Sequence, residues 1–262
     1  MIPWFELQTI MIGPITIQVW GLLVAIGVLV AFWWLTKQDI IKVISEKQVS
    51  DIIFYTLIFG FIGARLGHIL FYEPSYFIAN PSEVIKIWHG GMSSFGGIVA
   101  AIISVIYFIK KYAVTKKKVV PLMNYFSKAG VIGWMFGRIG CFLIHDHLGV
   151  ICDLGCPLHF VALQKSDGSS ARLDMSLLEL LLLLPLVWFV FISKYKQNAH
   201  VVWYIGLYYG AIRFLLDFLR AYDISNADVR YATLTPGQYF GILLMGICMY
   251  FLYKAKKHNT TM

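Results

Sequence analysis

VWGLLVAIGVLVAFWWL, residues 19–35, runs for 17 positions without a charged side chain or a proline. A helix needs roughly 20 apolar residues to cross the hydrocarbon of a bilayer, and this run reaches that length with its flanks. Six further stretches repeat the pattern, so windows over 15–36, 51–73, 91–110, 125–145, 175–193, 200–220 and 236–254 all read as spans. The first is read as a retained span and not a removed signal peptide, because no small-residue cleavage site follows it. Composition agrees: 59% of the 262 residues are hydrophobic and only 14% are charged, where a soluble domain carries about 25% charged residues. The expected fold class is therefore all-α: a polytopic membrane protein of one domain, residues 1–262, with about seven transmembrane helices around a central lipid-binding cavity.

Lysine and arginine set the expected orientation. Thirteen lysines fall in the loops after spans one, three and five and in the C-terminal tail, against five basic residues, Lys86, Lys165, Arg172, Arg220 and Arg230, on the other side. The N-terminus is expected outside and the C-terminus in the cytoplasm. The net charge of +8 follows largely from this asymmetry, so the lysine clusters read as anchors on anionic lipid and not as a nucleic-acid surface. Two outer segments, 74–90 and 145–174, exceed ordinary connections. The first suits a short helix lying in the interface, and the second reads as a small irregular outer subdomain.

Three arginines, Arg65, Arg138 and Arg213, sit inside predicted spans. A charge at the bilayer centre costs about 2.5–3.5 kcal/mol even on the lenient insertion scale, and guanidinium does not escape by losing a proton. Each must face the bundle interior. One account pairs them with acids; Asp217 lies four residues from Arg213 on the same helical face, with Glu179 and Glu73 as the other acids nearby. The other account is anion binding, favoured because acids inside are fewer than arginines, and a phospholipid phosphate is the natural anion at that depth.

The stretch GGMSSFGG, residues 90–97, raises the same choice. Gly90, Gly91, Gly96 and Gly97 lack β-carbons and Ser93 and Ser94 offer hydroxyls, which fits a recess where backbone N–H groups approach a ligand. It also fits close helix packing through small residues.

Taken in order, GARLGHILFY (63–72), GGMSSFGG (90–97), FGRIGCFLIHDHLG (136–149) and YGAIRFLLDFLR (209–220) resemble the bacterial prolipoprotein diacylglyceryl transferases, with IPWFEL, GPITIQVWGLL and TPGQ in support. The resemblance covers nearly the whole chain. It implies seven transmembrane helices, an N-terminus outside, the bacterial cytoplasmic (inner) membrane, and transfer of a diacylglyceryl group from phosphatidylglycerol to the lipobox cysteine of a secreted precursor carrying a signal peptide, with no cofactor. It further implies that Arg138 and Arg213 engage the lipid phosphate, that Asp146 stands where the family often has glutamate, and that Gly149 matches a family glycine. The chain departs from the family at Phe95, where many members have histidine, at Cys141, where many have asparagine, at Trp20 in place of a first-span tyrosine, and over 171–179, where only Arg172, Asp174 and Glu179 of a usual signature remain.

Displacement at a glycerol carbon by sulfur sets two tasks: making a thiolate from a thiol of pKa near 8.5, and stabilising charge on the departing phosphate. The second suits Arg138 and Arg213, with Arg65, Asp217 and the glycine-serine stretch as further lipid-binding candidates. For the first, His145 and His147 are the candidate bases with Asp146 as orienter, and His68 and His89 are alternatives. His145, His147, Cys152, Cys156 and His159 also form a dense set of potential metal ligands, although the spacing matches no standard zinc module; Cys152 and Cys156 are expected as free or packed thiols before a disulfide, which an oxidising compartment would allow. A lipid binder or transporter without chemistry uses the same cationic cavity. An intramembrane hydrolase lacks support, since neither GxSxG nor HExxH occurs.

Overall fold

The structure, a computed structural model, describes residues 1–260 apart from 87–90, 113, 166, 168, 194–199 and 225–226. Seven helices are long and apolar enough to cross a membrane: α1 (Val19–Thr36), α2 (Glu46–Phe71), α4 (Ser94–Lys111), α5 (Lys116–Ile144), α6 (Met175–Val187, continued by a π-turn to Ile192), α7 (Val201–Leu216) and α8 (Pro236–Thr260), with the short α3 (Pro74–Ala79) between α2 and α4. Their outward faces remain apolar: Leu29 is 66%, Ile103 62% and Leu243 61% exposed, a surface stable in hydrocarbon and costly in water.

Local chemistry corrects several expected boundaries. Residues 15–18 do not begin the first helix; they form β3 (Ile15–Gln18), paired with β2 (Thr9–Ile12) across a turn in which Gly13 has φ of 59°. The second helix starts five residues earlier than the hydropathy window, because Ser45 and Gln48 form a capping box that satisfies the first unpaired amides. The interfacial helix is shorter than expected: Pro81 removes an N–H and disfavours helix at Asn80, so α3 ends at Ala79 and a 3-10 turn runs Pro81–Ile85.

The helices pack as α1 with α5, α2 with α4, and α7 with α8, while α6 bridges α5 and α7. The α2–α4 contact is the closest. A β-carbon on Gly96 would stand 2.3 Å from the Gly63 carbonyl oxygen and 2.9 Å from Gly67 Cα, so the two backbones touch without side chains between them. At the lysine-rich end an apolar core joins Leu35, Ile40, Ile44, Val49, Phe108 and Leu122.

The opposite end carries the small subdomain expected over 145–174, which is more regular than expected. β1 (Ile2–Pro3), β5 (Ala162–Gln164), β6 (Arg172–Asp174) and β4 (Leu148–Ile151) form one sheet in that order, so the chain's first residues complete a sheet built mainly from the 145–174 segment. Cys152 and Cys156 are disulfide-bonded, and Cys152 is buried with Val161, Ala171 and Leu173 beneath the sheet. Closing so short a loop removes unfolded-state entropy worth about 2 kcal/mol in the chain-entropy account. Cys152→Ala with Cys156→Ala is expected to raise proteolysis within 148–174 while leaving the helical bundle intact, read by limited proteolysis in detergent.

Candidate functional site

Four helices bring polar groups together at the end of the bundle opposite the lysine-rich one. Arg138 on α5 donates from Nε to Glu179 Oε1 on α6 at 2.8 Å, and Trp134 Nε1 donates to the same oxygen at 2.6 Å. Both Arg138 and Glu179 are buried. The Arg138 Nη nitrogens find no hydrogen-bond acceptor among the described residues. The edge of the fork bound to Glu179 is therefore anchored, while the other donors remain available to an anion.

Arg213 on α7 lies 3.3 Å from Asp217 Oδ1, one turn on, and its buried Nε has no hydrogen-bond partner among the described residues. Asp217 Oδ2 accepts from Thr235 Oγ1 at 2.5 Å. Thr235 also caps α8: its hydroxyl accepts from Gln238 N at 3.1 Å, while its own N–H donates to Gln238 Oε1 at 2.9 Å. TPGQ is thus a capping box with proline at the first helical position. A β-carbon on Gly237 would lie 2.8 Å from both Arg213 Nε and Asp217 Oδ2, so this glycine is what lets the start of α8 close on the pair.

Both arginines consequently have carboxylate neighbours, where the sequence offered an acid to only one. Glu179 is 41 positions from Arg138, and no local spacing connects them. Tyr209 completes the floor; it faces Ser94 on α4 and stacks edge-on with Trp134 at 4.9 Å between centroids.

The outer rim consists of Asp146, His147 and Arg220. Arg220 Nη2 donates to His147 Nδ1 at 3.1 Å, ion-pairs with Asp228 and lies 4.0 Å from Asp217. Because guanidinium only donates, His147 carries its lone pair on Nδ1 and its hydrogen on Nε2. Burial, and then the charges of Arg220, Arg138 and Arg213, hold its pKa well below the ordinary histidine value. Burial pushes the Asp146 carboxyl up to about 6, against the opposing pull of Arg138 and Arg220.

Other expected site residues are placed differently. His145 turns inward with φ of 50°; its Nδ1 meets Asp174 Oδ2 at 2.8 Å and its ring packs on Trp4, Phe5 and Phe142. Asp174 in turn caps α6 through Leu177 N. His145 therefore joins α5 to α6 through Asp174, and its buried Nε2 has no hydrogen-bond partner among the described residues. Arg65 spends its donors on backbone: Nε on Val84 O at 3.1 Å, Nη1 on Gly91 O at 3.1 Å, and Nη2 on the carbonyls of Glu83 and Lys86. It tethers the outer segment to α2 and lies 4.9 Å over Phe77. Gly91, at φ of 74°, turns its carbonyl toward this guanidinium. Ser93 is the N-cap of α4, Gly96 and Gly97 pack on α2, and Gly149 is wedged between Leu219 O, Met175 and Leu173. Gly90 and the alternative base His89 lie outside the described residues. Phe95 packs with Phe71, Tyr72 and Phe240.

The metal set considered from sequence does not assemble, since Cys152 and Cys156 are bonded to each other, His145 is held by Asp174 and His159 Nδ1 contacts Cys156 O. A different trio does: donor atoms of Cys141, Asp146 and His147 lie within 4.8 Å of one another. Metal-ligating histidine donates its second N–H to an acceptor, whereas Arg220 supplies a donor there.

Seven spans, with a pair of buried arginines from α5 and α7 beside carboxylates and a rim carrying a histidine and a carboxylate at one end, define a polytopic membrane protein with a polar cluster at that end of its bundle. The family described as prolipoprotein diacylglyceryl transferase matches residues 8–254. Two relatives named phosphatidylglycerol-prolipoprotein diacylglyceryl transferase, from Dechloromonas aromatica and Pseudomonas aeruginosa, are each 29% identical; the alignments cover 97% and 94% of this chain and 98% and 93% of theirs. One of the same name from Nitrosomonas europaea is 26% identical over 98% of this chain and 92% of its own. The chain belongs to the prolipoprotein diacylglyceryl transferase family, and is a multi-pass bacterial membrane protein.

Proposed function

We propose that this protein transfers the diacylglyceryl group of phosphatidylglycerol to the lipobox cysteine thiol of a secreted prolipoprotein, at the outer face of the cytoplasmic membrane, with its N-terminus outside. The observation that carries the reading is the Arg138–Arg213 pair. Each guanidinium is fixed along one side by a carboxylate, and each keeps donors that no described residue accepts.

Sulfur attacks the glycerol carbon, the carbon–oxygen bond to the phosphate breaks, and glycerol phosphate leaves with the bonding pair. Charge thus accumulates on a phosphate oxygen as the bond breaks. Preorganised guanidinium donors aimed at that oxygen bind it more strongly in the transition state than in the intact diester. Glu179 and Asp217 keep the donors from reorienting. They also limit the positive charge that the leaflet must accommodate, which lowers the cost of burying two guanidiniums at this depth.

The test is direct: purified protein, phosphatidylglycerol vesicles and a lipobox peptide are combined, and peptide mass and released glycerol phosphate are measured. Thioether-linked diacylglyceryl peptide supports the reading; lipid bound and unchanged supports a binder and sinks it. Arg213→Lys keeps the charge but loses the fork and the Nε donor. It is expected to lower kcat about 10- to 100-fold with little change in KM, the loss of a donor used mainly in the transition state.

A further inference from the structure

We propose that Asp146 is the proton acceptor for the attacking thiol, and that His147 is a positioning residue held by Arg220 so that its Nε2–H faces that carboxylate. The inference rests on the transferase reading and asks which group of the site performs the deprotonation.

Elimination and geometry point the same way. Glu179 accepts from Arg138 and Trp134, and Asp217 ion-pairs with Arg213 and accepts from Thr235; both are buried, at 5% and 0% exposure, away from a thiol arriving from the rim. His145 is closed in by three aromatic rings and Asp174. His147 has one lone pair, on Nδ1, and Arg220 occupies it at 3.1 Å. His68 stacks on Tyr72 and lies 3.8 Å from Glu73, at the end of α2 that Arg65 ties to the outer segment. Among the described candidates that leaves Asp146, whose Oδ1 is 3.7 Å from His147 Nε2 and whose side chain is 40% exposed to an incoming thiol.

Its position suits an acceptor arriving from outside. Cys141 lies three residues after Arg138 on α5, one helical turn nearer the outer face, and Cys141 Sγ, an Asp146 oxygen and a His147 nitrogen lie within 4.8 Å of one another. The carboxylate thus stands about one turn outward of the arginine that takes the phosphate. An incoming thiol reaching toward the lipid's glycerol carbon passes between them.

The step balances simply. The S–H proton goes to an Asp146 oxygen, the sulfur pair forms the S–C bond, the C–O pair leaves with the phosphate, and Asp146 returns its proton to water or to the departing phosphate. The groups facing Asp146 are Arg138 and Cys141 from α5, His147 beside it, Asp174 at the start of α6 and Arg220 beyond α7. The part of the carboxyl packed beneath the rim raises its pKa above the ordinary carboxylate value, against the pull of Arg138 and Arg220, in the direction that suits general-base work near neutrality. The carboxylate form is the active one, so kcat/KM rises with pH through about 6 and then levels.

The experiment compares the wild type, Asp146→Asn, Asp146→Glu and His147→Gln over pH 5 to 9, with phosphatidylglycerol vesicles and a lipobox peptide, and measures lipid binding separately. Asp146→Asn is expected to lower the rate at pH 7 about 100-fold or more with lipid binding retained. Its rate should climb toward pH 8.5, where the thiol ionises unaided. Asp146→Glu restores a limb near pH 6, and His147→Gln displaces that limb without abolishing activity. Asp146→Asn with an unchanged profile, or inactive at every pH although it binds lipid, overturns the assignment while leaving the transferase reading standing; an inactive wild type overturns both. Loss of wild-type activity on chelation, restored by zinc, overturns it in favour of a metal held by the same trio.

Discussion

Arg138→Ala is expected to lower the transfer rate about 1,000-fold or more and to destabilise the protein as well, and the two losses have different causes. The rate falls because donors aimed at the leaving phosphate disappear, an effect commonly worth a factor of about 100 to 1,000 for a single oxyanion donor, and the fork carries more than one. Stability falls because the Glu179 carboxyl, 5% exposed, is left with Trp134 Nε1 as its hydrogen-bond donor among the described residues. Removing one partner of a buried ion pair costs about 3–5 kcal/mol. Adding Glu179→Gln to Arg138→Ala separates the two: thermal unfolding in detergent should recover much of the lost stability, while the rate stays low. Recovery of the rate in the double variant would show that Arg138 serves only to neutralise Glu179 and would remove it from the phosphate site.

Gly96→Leu is expected to be the most damaging of the substitutions away from charge. The modest change to alanine already places a methyl group 2.3 Å from a backbone oxygen of α2, and backbone on both sides leaves nothing flexible to yield. Forcing the helices apart costs about 3 kcal/mol or more. It also loosens Gly91 from Arg65, and with it the outer segment. Gly130 on α5, around which a β-carbon meets nothing within 4 Å, is the control. Gly130→Ala should leave the unfolding temperature unchanged or raise it, since glycine costs about 1 kcal/mol in a helix interior. Equal behaviour of the two variants would mean that α2 and α4 do not meet through these glycines. Size-exclusion and thermal unfolding in detergent read both.

These expectations show why the glycine stretch was ambiguous in the chain alone. Spacing identifies small residues on one helical face, but a lipid recess and a helix partner ask for the same residues. The partner is supplied by Gly60, Gly63 and Gly67, some 30 residues away. The same limit applies to the polar groups. Arg213 and Asp217 were readable as a pair because a helix turn joins them, whereas Arg138 and Glu179 meet only because α5 and α6 pack. His145 and His147 look equivalent in HDH, yet a left-handed backbone at His145 turns one ring toward Asp174 and leaves the other on the rim. Arg220 passed as one more loop cation, although its spacing of three from Asp217 on the same helical turn was a usable signal. TPGQ was equally readable, as a helix start.

Sequence alone determined the membrane class, the number of spans and the sinking of permanent charge into them, because hydropathy and ionisation belong to each residue wherever the chain folds. Tertiary structure alone decided which carboxylate restrains which arginine, which histidine meets Asp174 and which meets Arg220, and that Arg65 holds backbone. Those outcomes depend on distances between segments far apart in the chain, and a hydrogen bond lost to a separation of one ångström is no longer the same interaction.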